Sequence, residues 1–393
     1  MNKLILMFTF VDSIITLAFL LFGLNVLWSF AEAGEGIFGL AVILGTTSVF
    51  NALSALVRGY VVDSFQKKIT VLVSLIVCCF LCILWFFTEH FLPVAVIAYI
   101  AIEFARAIYN SSYAALVAEK LSSNDYVKYD SISIMVGRVI SVIGNLASAV
   151  AIIFIPSEVI AFLIAAIFIV GAVVCRKFLP GSSVKSDAEH YPKNLKTAWV
   201  FAKENVFGDR KIVTFIVIVF LLNLDYAFIP TLLPMFIITT TELTSPLLFG
   251  IIRSGNSVGE FVASAITLKY SRFVSRLTKI GLAGSAAVFI LLPFIYAFPV
   301  AVVAFFAMYS FFDMLTQPLY SYFVSSLKAD KRGRILGIVD STILLASPLG
   351  IAFGGVLSHF GMIPVSVGIV AVFLFSLLII SKSKDYKSVK LDC

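Results

Sequence analysis

The sequence predicts an all-α membrane protein whose twelve transmembrane helices form two six-helix halves. Composition, the length of the apolar runs and the placement of the cations predict it. Of 393 residues, 61% are hydrophobic and 13% are charged, and the mean hydropathy is +1.06. A soluble domain carries about a quarter charged residues, and no water-soluble fold could hide so much apolar surface. The 38 Phe suit helices packed against lipid and one another.

Crossing ~30 Å of hydrocarbon takes ~20 helical residues. Runs of that kind fall at Leu4–Phe30, Ile37–Val62, Ile69–Phe87, Leu92–Val117, Ile132–Ile155 and Val159–Val174. After a polar stretch come Ile212–Ile238, Leu247–Leu268, Ile280–Phe298, Val300–Leu327, Ile335–Leu357 and Met362–Ile380. The halves therefore cover residues 1–177 and 212–381, with a cytoplasmic linker at 178–211 and a cytoplasmic tail at 382–393. Within the linker, Pro180-Gly181-Ser182-Ser183 is flexible in composition. Asn194 to Phe207 reads as a short amphipathic helix capped by Asn194, with Leu195, Trp199 and Phe201 toward the inner membrane surface.

Orientation follows from Lys and Arg, which concentrate on the cytoplasmic side. With the N-terminus inside, every one of the 29 cations except Arg58, Arg106, Arg138 and Arg253 falls in an inner loop, the linker or a tail. The outer loops carry only acids, among them Glu32, Glu35, Glu89, Glu158 and Glu242. One missed span would scramble this alternation, so it supports the helix count as well as the orientation. It places the protein in the cell inner membrane with both termini cytoplasmic. It also accounts for the net charge of +7 as topological anchoring, without nucleic acid. Ala31-Glu32-Ala33 imitates a cleavage site, but the preceding run far exceeds the ~7–15 residues of a signal-peptide core, so no cleavage is expected.

Enzyme signatures fail in context. Gly255-Asn256-Ser257-Val258-Gly259 matches a nucleophile pattern, yet His90, His190 and His359 all fall in loops, leaving Ser257 without a base in the membrane. Small residues for close helix packing explain it. Gly34-Glu35-Gly36-Ile37-Phe38-Gly39 mimics a dinucleotide fingerprint but follows a helix rather than a strand. Cys78, Cys79, Cys82, Cys175 and Cys393 have no neighbouring His, so they read as packing residues; no metal, cofactor or enzymatic activity is expected.

The halves repeat weakly. Arg106, Asn110 and Tyr113 of span four align, at one constant offset, with Asp313, Gln317 and Tyr320 of span ten. Two six-helix halves around a cavity is the arrangement of transporters built from parallel repeats.

Between spans two and three, Gly59-Tyr60-Val61-Val62-Asp63-Ser64-Phe65-Gln66-Lys67-Lys68 resembles the loop motif of the major facilitator superfamily: glycine, three residues, aspartate, then a basic cluster. Gly59 would permit close packing, Asp63 would face the positive end of a neighbouring helix, and Lys67 and Lys68 would anchor the loop. The family's second glycine is Gln66 here. The resemblance implies that this motif latches one state against span eleven, with Arg334 and Asp340 as members of the latch. Within the superfamily the chain is similar to bacterial exporters of macrolides and siderophores, on Arg332-Gly333-Arg334, Ser347-Pro348-Leu349-Gly350 and Gly354-Gly355. The proline-glycine antiporter motif of many drug exporters is reduced in span five to Gly137, Gly144 and Asn145.

Charges within spans cost energy in lipid, so each is either functional or paired. Asp12 in span one and Asp225 in span seven lack a local cation, and each is either paired across helices or protonatable. Glu103 and Arg106, three apart, form either a static pair or part of a cavity with Asn110 and Tyr113. Arg138 and Asn145 on span five, Tyr226, Arg253 with Glu260 on span eight, and Asp313 with Gln317 on span ten complete the candidate cavity residues. A carboxyl in a low-dielectric cavity can take a proton from one side and release it to the other. Asp12, Glu103 and Asp225 are the coupling candidates, in that order. The reading is a monomeric, proton-driven exporter of an amphipathic or zwitterionic small molecule. Import by symport, an intramembrane enzyme and a non-transporting receptor are the alternatives. Without a nucleotide-binding motif, ATP-driven transport is not expected.

Overall fold

The computed structural model describes residues 3–32, 36–54, 61, 65–88, 91–121, 123–181, 195–227, 245–270, 274–295, 297–327 and 332–382. Among them there is no strand. The first six expected spans are α1 (Lys3–Glu32), α2 (Gly36–Leu53), α3 (Lys67–Thr88), α4 (Leu92–Lys120), α5 (Ser123–Phe154) and α6 (Ser157–Phe178). The linker contributes α7 (Leu195–Ala202), extended by a π turn over Lys203–Phe207. Then follow α8 (Arg210–Tyr226), α9 (Pro246–Lys269), α10 (Val274–Leu291), α11 (Phe298–Ser326), α12 (Arg332–Leu344), α13 (Ala346–Ser358) and α14 (Met362–Lys382). Pro93, Pro246, Pro299 and Pro364 sit in first turns, where a missing N–H costs nothing. Pro156 is the N-cap of α6.

Among the described residues nine helical stretches are long and apolar enough to cross a membrane. The other expected spans fall on α2, α8 and α9. Described α8 has 17 residues, and α9 carries Arg253, Ser254, Asn256, Ser257 and Glu260. Phe80, Phe87, Phe154, Phe162, Val303, Ile363 and Val367 are exposed, which a lipid environment accommodates and water would not.

Two expectations about element limits change. Helix α5 begins at Ser123 rather than Ile132, because a helix can run on past the membrane, and Asp125 in its first turn suits the positive end of the dipole. Span eleven is interrupted at Leu345 between α12 and α13, although Leu345 keeps helical dihedrals and Ser341–Ser358 still forms one membrane-length stretch. Pro348 supplies the cause, since it has no N–H and its ring collides with the carbonyl four residues earlier, at Leu344. Described α8 ends at Tyr226; residues 228–238 of expected span seven lie outside the described residues, as do Asn194 and Ser182–Ser183 of the linker.

The helices group into two compact units. The first holds Met1–Gly34, Val49–Ala188 and Ser245–Ser254. Its core stacks α1 on α5 and α6, and α3 on α4 and α6. Glycines allow the close approaches: a Cβ on Gly144 would stand 2.9 Å from Leu20 Cδ1, and one on Gly171 would stand 3.1 Å from Ile15. Aromatic rings fill the rest, with Phe22 against Trp85 at 5.7 Å and Phe19 against Phe168 at 5.0 Å. The start of α9 is fixed on α5, where Gly250 leaves room for the Asn145 carbonyl and Ser254 Oγ donates to the Val142 carbonyl at 3.2 Å.

The second unit holds Glu35–Ser48, Glu189–Thr244 and Gly255–Cys393. Helix α10 packs on α11 and α14, and α8 on α13 and α14. A Cβ on Gly350 would lie 2.3 Å from the Leu224 carbonyl, so α13 meets the α8 backbone directly. Gly259 meets the Phe306 carbonyl in the same way, and Ser310 Oγ donates to the Gly259 carbonyl at 3.1 Å. Thus the Gly255–Gly259 stretch is a helix-packing surface. Phe215 and Phe323 stack at 3.7 Å between α8 and α11.

Candidate functional site

The first unit gathers a polar cluster around Asp12. Helix α1 presents this half-buried carboxylate beside α4 and α5. Tyr109 OH of α4 donates to Asp12 Oδ1 at 3.4 Å, and Ser133 Oγ of α5 donates to Oδ2 at 3.3 Å. No cation lies within ion-pair distance of Asp12 among the described residues. Pairing with Arg106 or Arg138, open from the sequence, is not what the structure shows. Tyr109 is fixed by stacking on Tyr113 at 5.5 Å, and Tyr113 donates to the Phe8 carbonyl. Tyr113 is therefore buried, with its hydroxyl spent on the backbone.

One and two turns before Tyr109 on α4, Arg106 Nη1 donates to Glu103 Oε1 at 3.3 Å. The contact is single and longer than the ~2.7–2.9 Å of a strong charge-assisted bond. The guanidinium also lies over the Phe19 ring, 5.1 Å from its centre. Asn110 is exposed on the same helix, whereas Asn145 is buried at the α5–α9 contact. Arg138 is half-buried on α5. Arg253, also half-buried, lies over Phe249 at 5.9 Å, and Phe249 contacts Trp28 at 6.3 Å. The Tyr99 hydroxyl lies within electrostatic reach of Glu103, Arg106 and Arg253 together.

In the second unit, Asp225 is buried, and neither carboxyl oxygen has a hydrogen-bond partner among the described residues. Tyr226 beside it packs against Phe312 at 5.1 Å and Tyr309 at 6.5 Å. Glu260 is buried and Asp313 half-buried. The Gln317 side chain lies outside what the structure describes.

Of the loop motif, Gly59 and Asp63 lie outside the described residues, as do the side chains of Arg334 and Asp340. Lys67 and Lys68 are described. Lys67 Nζ binds Glu119 Oε2 at 3.2 Å, and Lys120 holds the other oxygen at 3.0 Å. Lys68 donates to the Leu179 carbonyl and so caps the end of α6. Both lysines tie the start of α3 to the ends of α4 and α6.

Sequence reading passed over Ser133, one of several small hydroxyls at the start of span five, and Tyr99. Ser133 matters through Asp12, far away in the chain, and Tyr99 lies between its near neighbours Glu103 and Arg106 and the distant Arg253 in its electrostatic surroundings. Among the described residues no group of His, Cys, Asp or Glu is placed to hold a metal ion.

The structure superposes on solved transporters over nearly its full length. It is similar to a D-xylose-proton symporter (15% identity, TM-score 0.72, covering 97% of this chain and 99% of that one). A bacterial homologue of the iron transporter ferroportin in an inward-facing state matches at 12% identity and TM-score 0.71, covering 96% of this chain and 97% of that one. The nucleoside transporter NupG matches at 12% identity and TM-score 0.68, again covering 96% and 97%. At these identities the likeness is one of fold. Comparison with the curated proteins finds no match. The family profile of the Major Facilitator Superfamily matches residues 4–339. With its apolar helices, its shared fold and a profile match over most of its length, this chain belongs to the major facilitator superfamily, a family of multi-pass membrane transporters.

Proposed function

We propose that this transporter exports a small organic molecule (an antibiotic, a peptide-like toxin or a siderophore) by proton antiport with alternating access. It works as a monomer in the cell inner membrane, with both termini and the 178–211 linker in the cytoplasm. Residues 1–177 and 212–381 are the halves that alternate, and the Gly59–Lys68 loop with Arg334 and Asp340 sets the balance of states.

The supporting observation is the setting of Asp12. Its two oxygens meet the hydroxyls of Tyr109 and Ser133 rather than a guanidinium. A hydroxyl both donates and accepts, so the same two partners serve a carboxylate and a carboxylic acid. A fixed cation would favour only the charged form. Asp12 thus has the surroundings of a group that gains and loses a proton in the cycle. The export direction rests on the Arg332-Gly333-Arg334 and Ser347–Gly350 segments.

Asp12→Asn in proteoliposomes tests the reading. Proton-driven accumulation should vanish, while substrate exchange and downhill flux persist at least in part, because the amide copies the shape of the neutral acid but cannot release a proton. Normal uphill transport by well-folded Asp12→Asn protein would remove Asp12 as the coupling site and pass the question to Glu103 and Asp225. Proton flux in inside-out vesicles on adding substrate separates export from import.

A further inference from the structure

Arg106 sits midway along α4, and its side chain is 40% exposed while that of Glu103 is 16% exposed. Its neighbours Asn110 and Ser111 are exposed as well. Polar groups exposed at mid-membrane depth face water or a solute rather than lipid, since lipid contact would leave them unsatisfied. A guanidinium has five N–H donors in a planar fork. Among the described residues Glu103 Oε1 is the one acceptor that Arg106 reaches, through a single long contact. Most of the fork is therefore unspent.

The surroundings point the same way. Arg253, on the part of α9 that its Gly250 and Ser254 contacts hold on α5, lies with Arg106 within electrostatic reach of the Tyr99 hydroxyl. Aromatic rings carry both guanidinium groups: Phe19 lies under Arg106, and Phe249, itself against Trp28, lies under Arg253.

We propose that Arg106, assisted by Arg253, is the anion-binding end of the solute site, and that the transported compound carries a carboxylate or a phosphate. This rests on the transport reading above and narrows its substrate class to organic anions. Glu103 competes with that anion for the guanidinium: it occupies one donor when the site is empty and yields when solute arrives. Arg106 is thus a binding residue and Glu103 a positioning residue.

The test uses purified full-length protein in detergent and four probes of one shape: 1-naphthoate, 1-naphthyl phosphate, 1-naphthalenemethanol and 1-naphthylmethylamine. Thermal-shift titration should give saturable stabilisation by naphthoate, naphthyl phosphate or both, their ratio separating carboxylate from phosphate. The alcohol and the amine should bind roughly 10- to 100-fold more weakly, as expected for one lost charge-assisted contact. Arg106→Gln and Arg253→Gln should weaken anion binding, and Arg106→Lys should restore part of it by keeping the charge. Glu103→Gln should tighten it, a direction that a merely structural pair would not give. Equal binding of all four probes, binding of none, or anion affinity untouched in both Arg106→Gln and Arg253→Gln would overturn the proposal. Should Arg106→Gln fail to fold, Arg253→Gln and Glu103→Gln carry the same test. Flux of the same probes into proteoliposomes is read separately. Arg106-dependent anion binding without flux would sink the transport reading and leave the site standing. Flux of the alcohol or amine matching that of the anions would do the reverse.

Discussion

At the scale of single residues, a carboxyl inside a membrane must be paired, neutral or part of a working site. Asp12 and Asp225 meet that demand differently. Asp12 has two hydroxyl partners on two other helices. Asp225 is 1% exposed and has no hydrogen bond among the described residues. A buried carboxylate that loses a charged partner costs about 3–5 kcal/mol, whereas a neutral carboxyl of the same shape can be exchanged for an amide at little cost. Asp225→Asn should therefore change stability by no more than about 1 kcal/mol, read as a nearly unchanged melting temperature in detergent. A fall of several degrees would reveal an ion pair that Asp225 needs to fold. Intact folding with lost transport would place Asp225 in the proton path with Asp12.

At the scale of elements, helix contacts depend on which glycine meets which backbone. Gly350 lets α13 touch α8 at the Leu224 carbonyl, where an added methyl group would stand 2.3 Å away. Gly137 in α5 has nothing within 4 Å. Gly350→Ala should lower the melting temperature by several degrees, since forced overpacking costs about 1–3 kcal/mol. Gly137→Ala should be neutral or stabilising by up to about 1 kcal/mol, through helix propensity alone. The two substitutions are chemically identical, so equal effects would mean that the α8–α13 packing is wrong. The lysine contacts at the start of α3 are weaker devices. Lys67 and Glu119 are each 22% exposed in their side chains, and such pairs contribute about 0–1 kcal/mol. They position the start of α3 more than they stabilise the unit.

At the scale of the whole molecule, the twelve-span topology makes a prediction at many points at once. Single cysteines at Glu35, Glu89, Glu242 and His359 should react only with reagents added outside. Cysteines at Lys67, Lys193 and Lys331 should react only from the cytoplasm. One reversed loop would break both the orientation and the helix count.

The sequence by itself determined the spans, their order and the membrane setting. Lipid imposes those features locally: each crossing must satisfy its own backbone hydrogen bonds and be apolar for about 20 residues. Leu92–Val117 and Met362–Ile380 were legible as spans for that reason, and so was the linker helix before Phe207. The loop resemblance at Gly59–Lys68 agreed with the family to which the chain belongs. Some local information was present but went unread, such as the break at Leu345 that Pro348 imposes. Other features could not be read locally at all. Tyr109 and Ser133 reach Asp12 across separations of 97 and 121 residues, and Lys67 finds Glu119 across 52. No periodicity encodes the depth at which one helix meets another. Only side-chain packing in three dimensions sets that depth, and it decided that Asp12 faces hydroxyls while Arg106 keeps most of its donors unspent.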